Sequence, residues 1–133
     1  MNKFALDTNI LIYSHDNSGG EKQNTARDLI VRSPVVSTQV VSEYISVLKR
    51  VFKMPKSVIM KACLPNLRYC IFHAVDIETL QTAEHLIERY DFQIFDAIIV
   101  ASALESGCNI LYSEDMQHKM KVDKKLTIIN PFL

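Results

Sequence analysis

The sequence predicts an α/β protein with a central, mostly parallel sheet of four to five strands. Short apolar runs bounded by turn residues alternate with longer segments whose apolar residues recur at helical spacing. This alternation is typical of parallel sheets that are covered by helices on both faces. The chain has 133 residues, of which 48% are apolar, enough to bury one ordinary core. We therefore expect residues 1–133 to form a single domain.

Two strands are predicted in the first 53 residues. The predicted elements are, in order, a strand over 3–6, a helical turn over 8–13, a helix over 21–31, a strand over 35–37 and a helix over 38–52. Pro34 stops the first of the two longer helices. Thr38 is a good N-cap for the second, because its hydroxyl can accept a hydrogen bond from a free backbone amide.

The rest of the chain predicts three more strands. The predicted elements are a helix from residue 54, a strand within 68–75, helices over 77–89 and 94–106, a strand over 110–113, a loop over 114–125 and a strand over 126–129. Pro65 argues against continuing the first of these helices past residue 64, because proline removes a helical hydrogen bond. Asp76 can cap the second helix, and Gly107 can end the third.

Four acidic residues stand beside apolar stretches, where a lone carboxylate is costly. They are Asp7, Glu43, Asp96 and Asp115. Asp7 and Asp115 follow the first and fourth predicted strands, and the other two lie early in helices. Since ligands of parallel sheets gather at the carboxyl ends of the strands, all four are compatible with one edge. Clustered carboxylates need a cation to remain ionised, and Mg²⁺ or Mn²⁺ prefers oxygen ligands.

Each of these acids also has a purely structural explanation. Asp7 can cap the turn after the first strand, and Asp96 can cap a shorter helix. Glu43 can be an ordinary half-exposed helix residue. Glu114 adjoins Asp115, so spacing alone leaves open which of the two points inward. The residue pattern by itself decides none of these alternatives.

The overall composition narrows the function further. A formal charge of zero and a pI of about 6.9 argue against binding nucleic acid by bulk electrostatics alone. Residues 44–75 contain no acid but several basic residues, which indicates either a basic surface or a solvated helix face. The early Asp7 is incompatible with a signal peptide, no apolar run is long enough for a membrane span, and three cysteines lack metal or disulfide spacing. We expect a soluble, cytoplasmic protein that does not bind membranes.

Four parts of the chain carry a family resemblance. They are ALDTNILIY at residues 5–13, Glu43, FDAIIVASA at 95–103 and ILYSED at 110–115, and IINPF at 128–132 extends the likeness almost to the end. In this order and spacing they resemble the PIN domain ribonucleases, and in particular the VapC-type toxins of bacterial toxin–antitoxin pairs. The resemblance implies a three-layer α/β/α sandwich and an endoribonuclease site that depends on Mg²⁺ or Mn²⁺.

The resemblance also assigns roles to the acids. By position, Asp7 and Asp96 would be the main metal ligands, and Glu43 and Asp115 would complete the acidic pocket. Ser113 matches the small hydroxyl residue that precedes the family's fourth acid by two positions, which favours Asp115 over its neighbour.

Further residues and partners follow from the same resemblance. Thr8 and Asn9 would fix the first carboxylate from outside the metal shell. The family implies an RNA substrate, an antitoxin that covers the site, and a homodimer joined through its early helices. The basic residues that could contact RNA are Lys49, Arg50, Lys53, Lys119 and Lys121. The alternatives are a PIN fold that only binds without catalysis, and a PIN nuclease outside toxin–antitoxin systems.

Other enzyme classes fit the sequence less well. A haloacid-dehalogenase-like phosphatase needs a second Asp two residues after the first, where this chain has Asn9. A response-regulator receiver domain needs an acid after the third strand, and residues 70–75 contain none. A serine or cysteine hydrolase needs a glycine-flanked nucleophile elbow, and the chain has only three glycines. The four histidines share no ligand spacing.

Overall fold

The computed structural model describes residues 2–16, 18 and 20–133. Its strands are β1 (Phe4–Leu6), β2 (Val35–Ser37), β3 (Ile71–His73), β4 (Ile110–Tyr112), β5 (Lys121–Val122) and β6 (Leu126–Ile129). Its helices are α1 (Thr8–Tyr13), α2 (Glu21–Ile30), α3 (Thr38–Arg50), α4 (Lys56–Leu67), α5 (Ile77–Tyr90) and α6 (Ile94–Glu105). The elements alternate as the sequence predicts.

The six strands form one sheet in the order β3-β2-β1-β4-β6-β5. All neighbouring strands are parallel except β5, which runs antiparallel to β6. The three residues of β1 are buried, and Ala5 lies between Val35 of β2 and Leu111 of β4. The predicted α/β class with a mostly parallel sheet is therefore confirmed, although the sheet has six strands and not the predicted four to five.

The strand order determines where the helices lie. The chain steps from β1 to β2 to β3 in one direction, then returns across the sheet to β4 on the other side of β1. Because parallel crossovers are right-handed, this reversal places α1 to α4 on one face and α5 and α6 on the other. Accordingly, α1 packs against α2 and α3, and α5 packs against α6. The reversal makes the junction of β1 and β4 the switch point where ligands bind in such sheets.

Helix α6 is the most deeply buried helix that the structure describes. Residues 97–103 are all buried, so this helix is covered on every side. Its amino-terminal turn carries Asp96 and lies at the carboxyl edge of the sheet, because the helix leads back to the start of β4. Among the described residues, no helix has the length and apolar content needed to cross a membrane.

Three details of the predicted elements are wrong. Strand β5 lies in the segment 114–125 that is predicted as a loop, because a tight turn with positive φ at Asp123 (51°) and Lys124 (59°) joins it to β6. This turn contains no glycine, so the sequence gives no strong signal for it. Helix α4 continues through Pro65 to Leu67, since proline near a helix end breaks one hydrogen bond only. The N-cap of α3 is Ser37, whose side chain accepts from the Val40 amide.

Candidate active site

The four acids lie on elements that end or begin at the carboxyl edge of the sheet. Asp7 directly follows β1, and Asp115 lies three residues after β4 ends. Glu43 is in the second turn of α3, which starts where β2 ends, and Asp96 is the third residue of α6. Thr8 and Asn9, which follow Asp7, donate hydrogen bonds to Glu43 and Asp115. Gln39 donates to Glu43 and also to the Phe95 carbonyl beside Asp96. The structure therefore brings together all four acids that the sequence singles out.

Asp7 is the buried centre of this group, with only 5% of its surface exposed. Its Oδ1 accepts a hydrogen bond from the Thr8 amide (2.7 Å), and its Oδ2 accepts one from the Ser113 hydroxyl (2.8 Å). The pKa of Asp7 is raised from 3.8 to about 6, chiefly by burial and also by the negative charges of Asp96 and Asp115. Both hydrogen bonds act in the opposite direction and only partly offset this rise.

Ser113 connects the carboxylate of Asp7 to the loop after β4. Its fully buried hydroxyl donates to Asp7 and accepts from the backbone amides of Asp115 (3.2 Å) and Met116 (3.3 Å). One side chain thus ends the strand, shapes the loop and orients the central acid. This is the position that the resemblance uses to choose the fourth acid.

Glu43 is held by two neutral donors. Its Oε2 accepts from the Thr8 hydroxyl (2.8 Å), and its Oε1 accepts from the Gln39 amide nitrogen (3.0 Å). The same nitrogen of Gln39 lies 3.3 Å from the carbonyl oxygen of Phe95, at the start of α6. Gln39 therefore links the first turns of α3 and α6. It is a site residue that sequence reasoning missed, because no apolar context distinguishes it from other surface glutamines.

Asp115 and Glu114 point to different partners. Asp115 Oδ2 accepts from the side-chain nitrogen of Asn9 (2.9 Å), and Asn9 Oδ1 accepts from the Glu114 amide (3.4 Å). The Glu114 carboxylate instead binds Lys22 (2.7 Å) and the hydroxyl of Tyr13 (2.5 Å). The structure thus turns Asp115 towards the other acids and neutralises Glu114 with a lysine.

Asp96 has the least constrained carboxylate of the four. No hydrogen bond to it comes from residues 2–16, 18 or 20–133, and it is half-buried. Burial raises the pKa of Asp96, and the charges of Asp115 and Glu43 raise it further. Its place in the first turn of α6 partly offsets this effect, since the positive end of the helix favours an anion. Its oxygens remain available for an external ligand.

The donor set fits a hard divalent cation that binds few protein oxygens directly. Within the described ranges, no group of three or more His, Cys, Asp or Glu side chains is arranged to hold a metal ion alone. Mg²⁺ does not need such a cage, because it commonly takes one or two carboxylates, several waters and substrate phosphates. Burial and the neighbouring carboxylates raise the pKa of both Asp7 and Asp96, and a bound cation would favour their ionised forms.

The family of the chain is decided by a comparison with known protein families. The family model described as "PIN domain" matches residues 4–122, most of the chain. The chain therefore belongs to the PIN domain family. The resemblance inferred from the sequence is confirmed, and the matched range includes all four acids. No curated protein sequence matches this PIN domain significantly.

Solved structures share the fold of this PIN domain at low sequence identity. VapC20 of Mycobacterium tuberculosis, described as a toxin that cleaves the sarcin-ricin loop, has 20% identity and a TM-score of 0.66, with 85% of this chain and 90% of that chain covered. A toxin–antitoxin complex from Klebsiella pneumoniae has 17% identity and a TM-score of 0.72, with 97% of each chain covered. VapBC2 of Rickettsia felis, bound to promoter DNA, has 18% identity and a TM-score of 0.66, with 94% of this chain and 96% of that chain covered. At these identities the likeness concerns the fold.

Three of the five basic residues proposed to contact RNA lie in or just after the last turn of α3, and the other two follow the loop that carries Asp115. Lys49 and Arg50 are exposed in the last turn of α3, about 9 Å or more along the helix from Glu43. Lys119 and Lys121 are exposed on the segment that follows the acidic loop, and Lys53 has a positive φ of 54° after α3. None of the five is hydrogen-bonded to an acid of the site within the described residues.

Replacing Ser113 with Ala should lower the free energy of unfolding of this PIN domain by about 1–3 kcal/mol. The change removes the donor to Asp7 and leaves two backbone amides without their acceptor. The matched control is Ser102→Ala, because the Ser102 hydroxyl is equally buried but finds no partner among the described residues. Urea denaturation should therefore show a loss for the first variant only. Equal losses would show that the Ser113 hydrogen bonds contribute nothing special.

Proposed function

We propose that this protein is a metal-dependent endoribonuclease that hydrolyses RNA phosphodiester bonds and serves as the toxin of a type II toxin–antitoxin pair. One observation carries the proposal. Four carboxylates from four separate segments face one edge of the sheet, and the hydrogen bonds they accept come only from neutral groups within the described residues. None of these donors carries a positive charge, so a bound cation would relieve the repulsion among the four carboxylates.

Mg²⁺ or Mn²⁺ is the proposed cofactor, with Asp7 and Asp96 as its main ligands and Glu43 and Asp115 completing the pocket. When bound, such an ion lowers the pKa of a coordinated water and neutralises charge on the phosphate. The chain supplies orientation. Ser113 fixes the Asp7 carboxylate and Asn9 fixes that of Asp115, so that little reorganisation is needed when substrate binds.

Thr8 and Gln39 have the corresponding task for Glu43. Each donates to a different oxygen of that carboxylate, which sets the plane of the group. A fixed carboxylate can accept a proton or hold a water in one position, and such positioning is a large part of phosphodiester hydrolysis.

The toxin role rests on the relatives rather than on the site. One structural relative is a toxin that cleaves the sarcin-ricin loop, and two others are complexes of toxin with antitoxin. We therefore propose an RNA substrate, a cognate antitoxin as partner and a cytoplasmic location for residues 1–133, which act as one PIN domain. In a homodimer joined through the early helices, Lys49, Arg50 and Lys53 would line a shared groove, with Lys119 and Lys121 nearer each site.

Adding Mg²⁺ or Mn²⁺ should raise the melting temperature of the wild-type protein. A ligand that binds only the folded state stabilises it by about 2.7 kcal/mol at a hundredfold excess over Kd, which corresponds to several degrees here. The double variant Asp7→Asn plus Asp96→Asn should lose this shift. Differential scanning fluorimetry in EDTA and in each metal measures it.

The control is Asp28→Asn on α2, which removes an exposed carboxylate that is not one of the site residues. It should keep the full metal-induced shift. If neither metal shifts the melting temperature of wild type, and wild type cleaves no RNA in their presence, the proposal is wrong and the fold serves as a binding module.

A further inference from the structure

A cleft of about 240 Å³ opens beside Asp96. We call it the Phe92 cleft. Apolar side chains and two amides line it, namely Tyr90, Phe92, Met116, Met120, Gln93 and Gln117. The two amides are exposed, whereas Met116 is buried, so the cleft has a polar rim and an apolar floor. A cleft of this size has room for a single planar ring system.

The aromatic wall of the Phe92 cleft is already in place. The Tyr90 hydroxyl donates to Asp123 Oδ1 (3.0 Å) and accepts from the Asp123 amide (2.8 Å), so that ring cannot swing away. The guanidinium of Arg89 lies 5.5 Å from the centre of the Tyr90 ring. The ring of Phe92 packs against the Tyr90 ring, with the ring centroids 5.8 Å apart and an interplanar angle of 49°. A flat ligand would therefore contact side chains that are already ordered, so binding would not have to order them.

Charge decides which part of a nucleotide the cleft can accept. Two carboxylates, Asp91 and Asp96, line it together with the apolar residues. They would repel a phosphate group, since no cationic side chain lines the cleft within the described residues. A nucleobase is uncharged, stacks on aromatic rings and offers N–H groups to carboxylate and amide oxygens. Among the parts of RNA, only the base suits this chemistry.

We propose that the Phe92 cleft binds one nucleobase of the RNA, adjacent to the phosphodiester that is hydrolysed. Asp96 belongs to both the cleft and the acidic centre, so a base in the cleft places its own backbone beside the acids. Phe92 supplies the stacking face, and Gln93 and Gln117 meet the edge of the base. This assignment rests on the proposed ribonuclease function and adds the site that selects the base.

The test separates base binding from cleavage. Dye-labelled six-nucleotide RNA, with bases or with one central abasic residue, is titrated with protein at low salt in Ca²⁺, an oxygen-binding cation that can neutralise the acids, and binding is followed by fluorescence anisotropy. Wild type should bind the base-bearing RNA more tightly than the abasic one. Phe92→Leu, which keeps apolar volume but removes the ring, should weaken only the base-bearing RNA, by roughly 5- to 50-fold. Phe92→Tyr should restore the binding.

The matched control is Phe72→Leu on β3, an exposed phenylalanine outside the cleft, which should change neither affinity. Equal affinities of wild type for the two RNAs, or equal loss for both RNAs in Phe92→Leu, would overturn the inference. In cleavage assays with metal, Phe92→Leu should raise KM more than it lowers kcat. If wild type cleaves no RNA but still prefers the base-bearing RNA, the ribonuclease proposal fails while the base site stands.

Discussion

Replacing Asp96 with Asn should lower metal-dependent RNA cleavage by at least about a thousandfold. The variant removes one unit of negative charge and a proposed metal ligand, and metal-based charge stabilisation is worth several kcal/mol in such reactions. The fold should survive, because the described residues donate no hydrogen bond to this carboxylate. Initial rates on a fluorogenic RNA in Mg²⁺ and in Mn²⁺ measure the effect.

The same variant has a cellular readout. Expression of wild type alone should arrest growth, and expression of Asp96→Asn to the same level should not. Asp28→Asn is again the control, since it removes an exposed acid of the same type from α2. Cleavage by Asp96→Asn at more than a tenth of the wild-type rate would show that Asp96 does not hold the metal.

Replacing Asp7 with Asn should stabilise the metal-free protein at pH 7.5 while abolishing activity. The rise of the pKa of Asp7 from 3.8 to about 6 corresponds to about 3 kcal/mol of destabilisation when the group is ionised. Asn carries no charge but replaces one of the two accepting oxygens, which costs about 1 kcal/mol. The net gain in the free energy of unfolding should be about 2 kcal/mol.

The stability that Asp7→Asn gains relative to wild type should increase as pH rises. Between pH 3.8 and about 6 the folded state holds the Asp7 proton more tightly than the unfolded state does. The stability of wild type relative to Asp7→Asn therefore falls as pH rises through this window and is constant above it. His15 acts in the opposite sense, because burial and Arg27 lower its pKa, but it is present in both proteins and cancels.

Urea denaturation of both proteins in EDTA at pH 4, 5, 6 and 7.5 measures this difference. Asp28→Asn provides the reference, because it removes an exposed carboxylate from α2 by the same substitution. A variant less stable than wild type at pH 7.5 would mean that the hydrogen bonds of the Asp7 carboxylate outweigh its burial. With saturating Mg²⁺ the order should reverse, since only wild type gains binding energy.

The sheet was predictable wherever a strand is mostly apolar. Strands β1, β2, β3, β4 and β6 have this property, and each lies within or beside its predicted range. Strand β5 does not, because it has only two residues and one of them is an exposed lysine. Its pairing depends on a left-handed turn formed by Asp123 and Lys124, residues that signal such turns weakly.

The site was predictable to the extent that burial marks an acid. Asp7 and Asp96 lie among apolar residues, so the sequence alone shows that their carboxylates are costly to bury. The choice between Asp115 and Glu114 depends on tertiary partners, since Asn9 binds one and Lys22 the other from more than ninety residues away. The Phe92 cleft is beyond sequence patterns for the same reason, because residues 90–96 meet residues 116–120 only in the folded chain.

The position of β1 between β2 and β4 has a consequence for synthesis of the protein on the ribosome. Asp7 leaves the ribosome 106 residues before Ser113, which directly follows the partner strand β4. Until β4 pairs with β1, the Asp7 carboxylate lacks its serine partner and its fellow acid. A nascent chain therefore lacks the complete acidic centre until β4 has been made and has paired with β1.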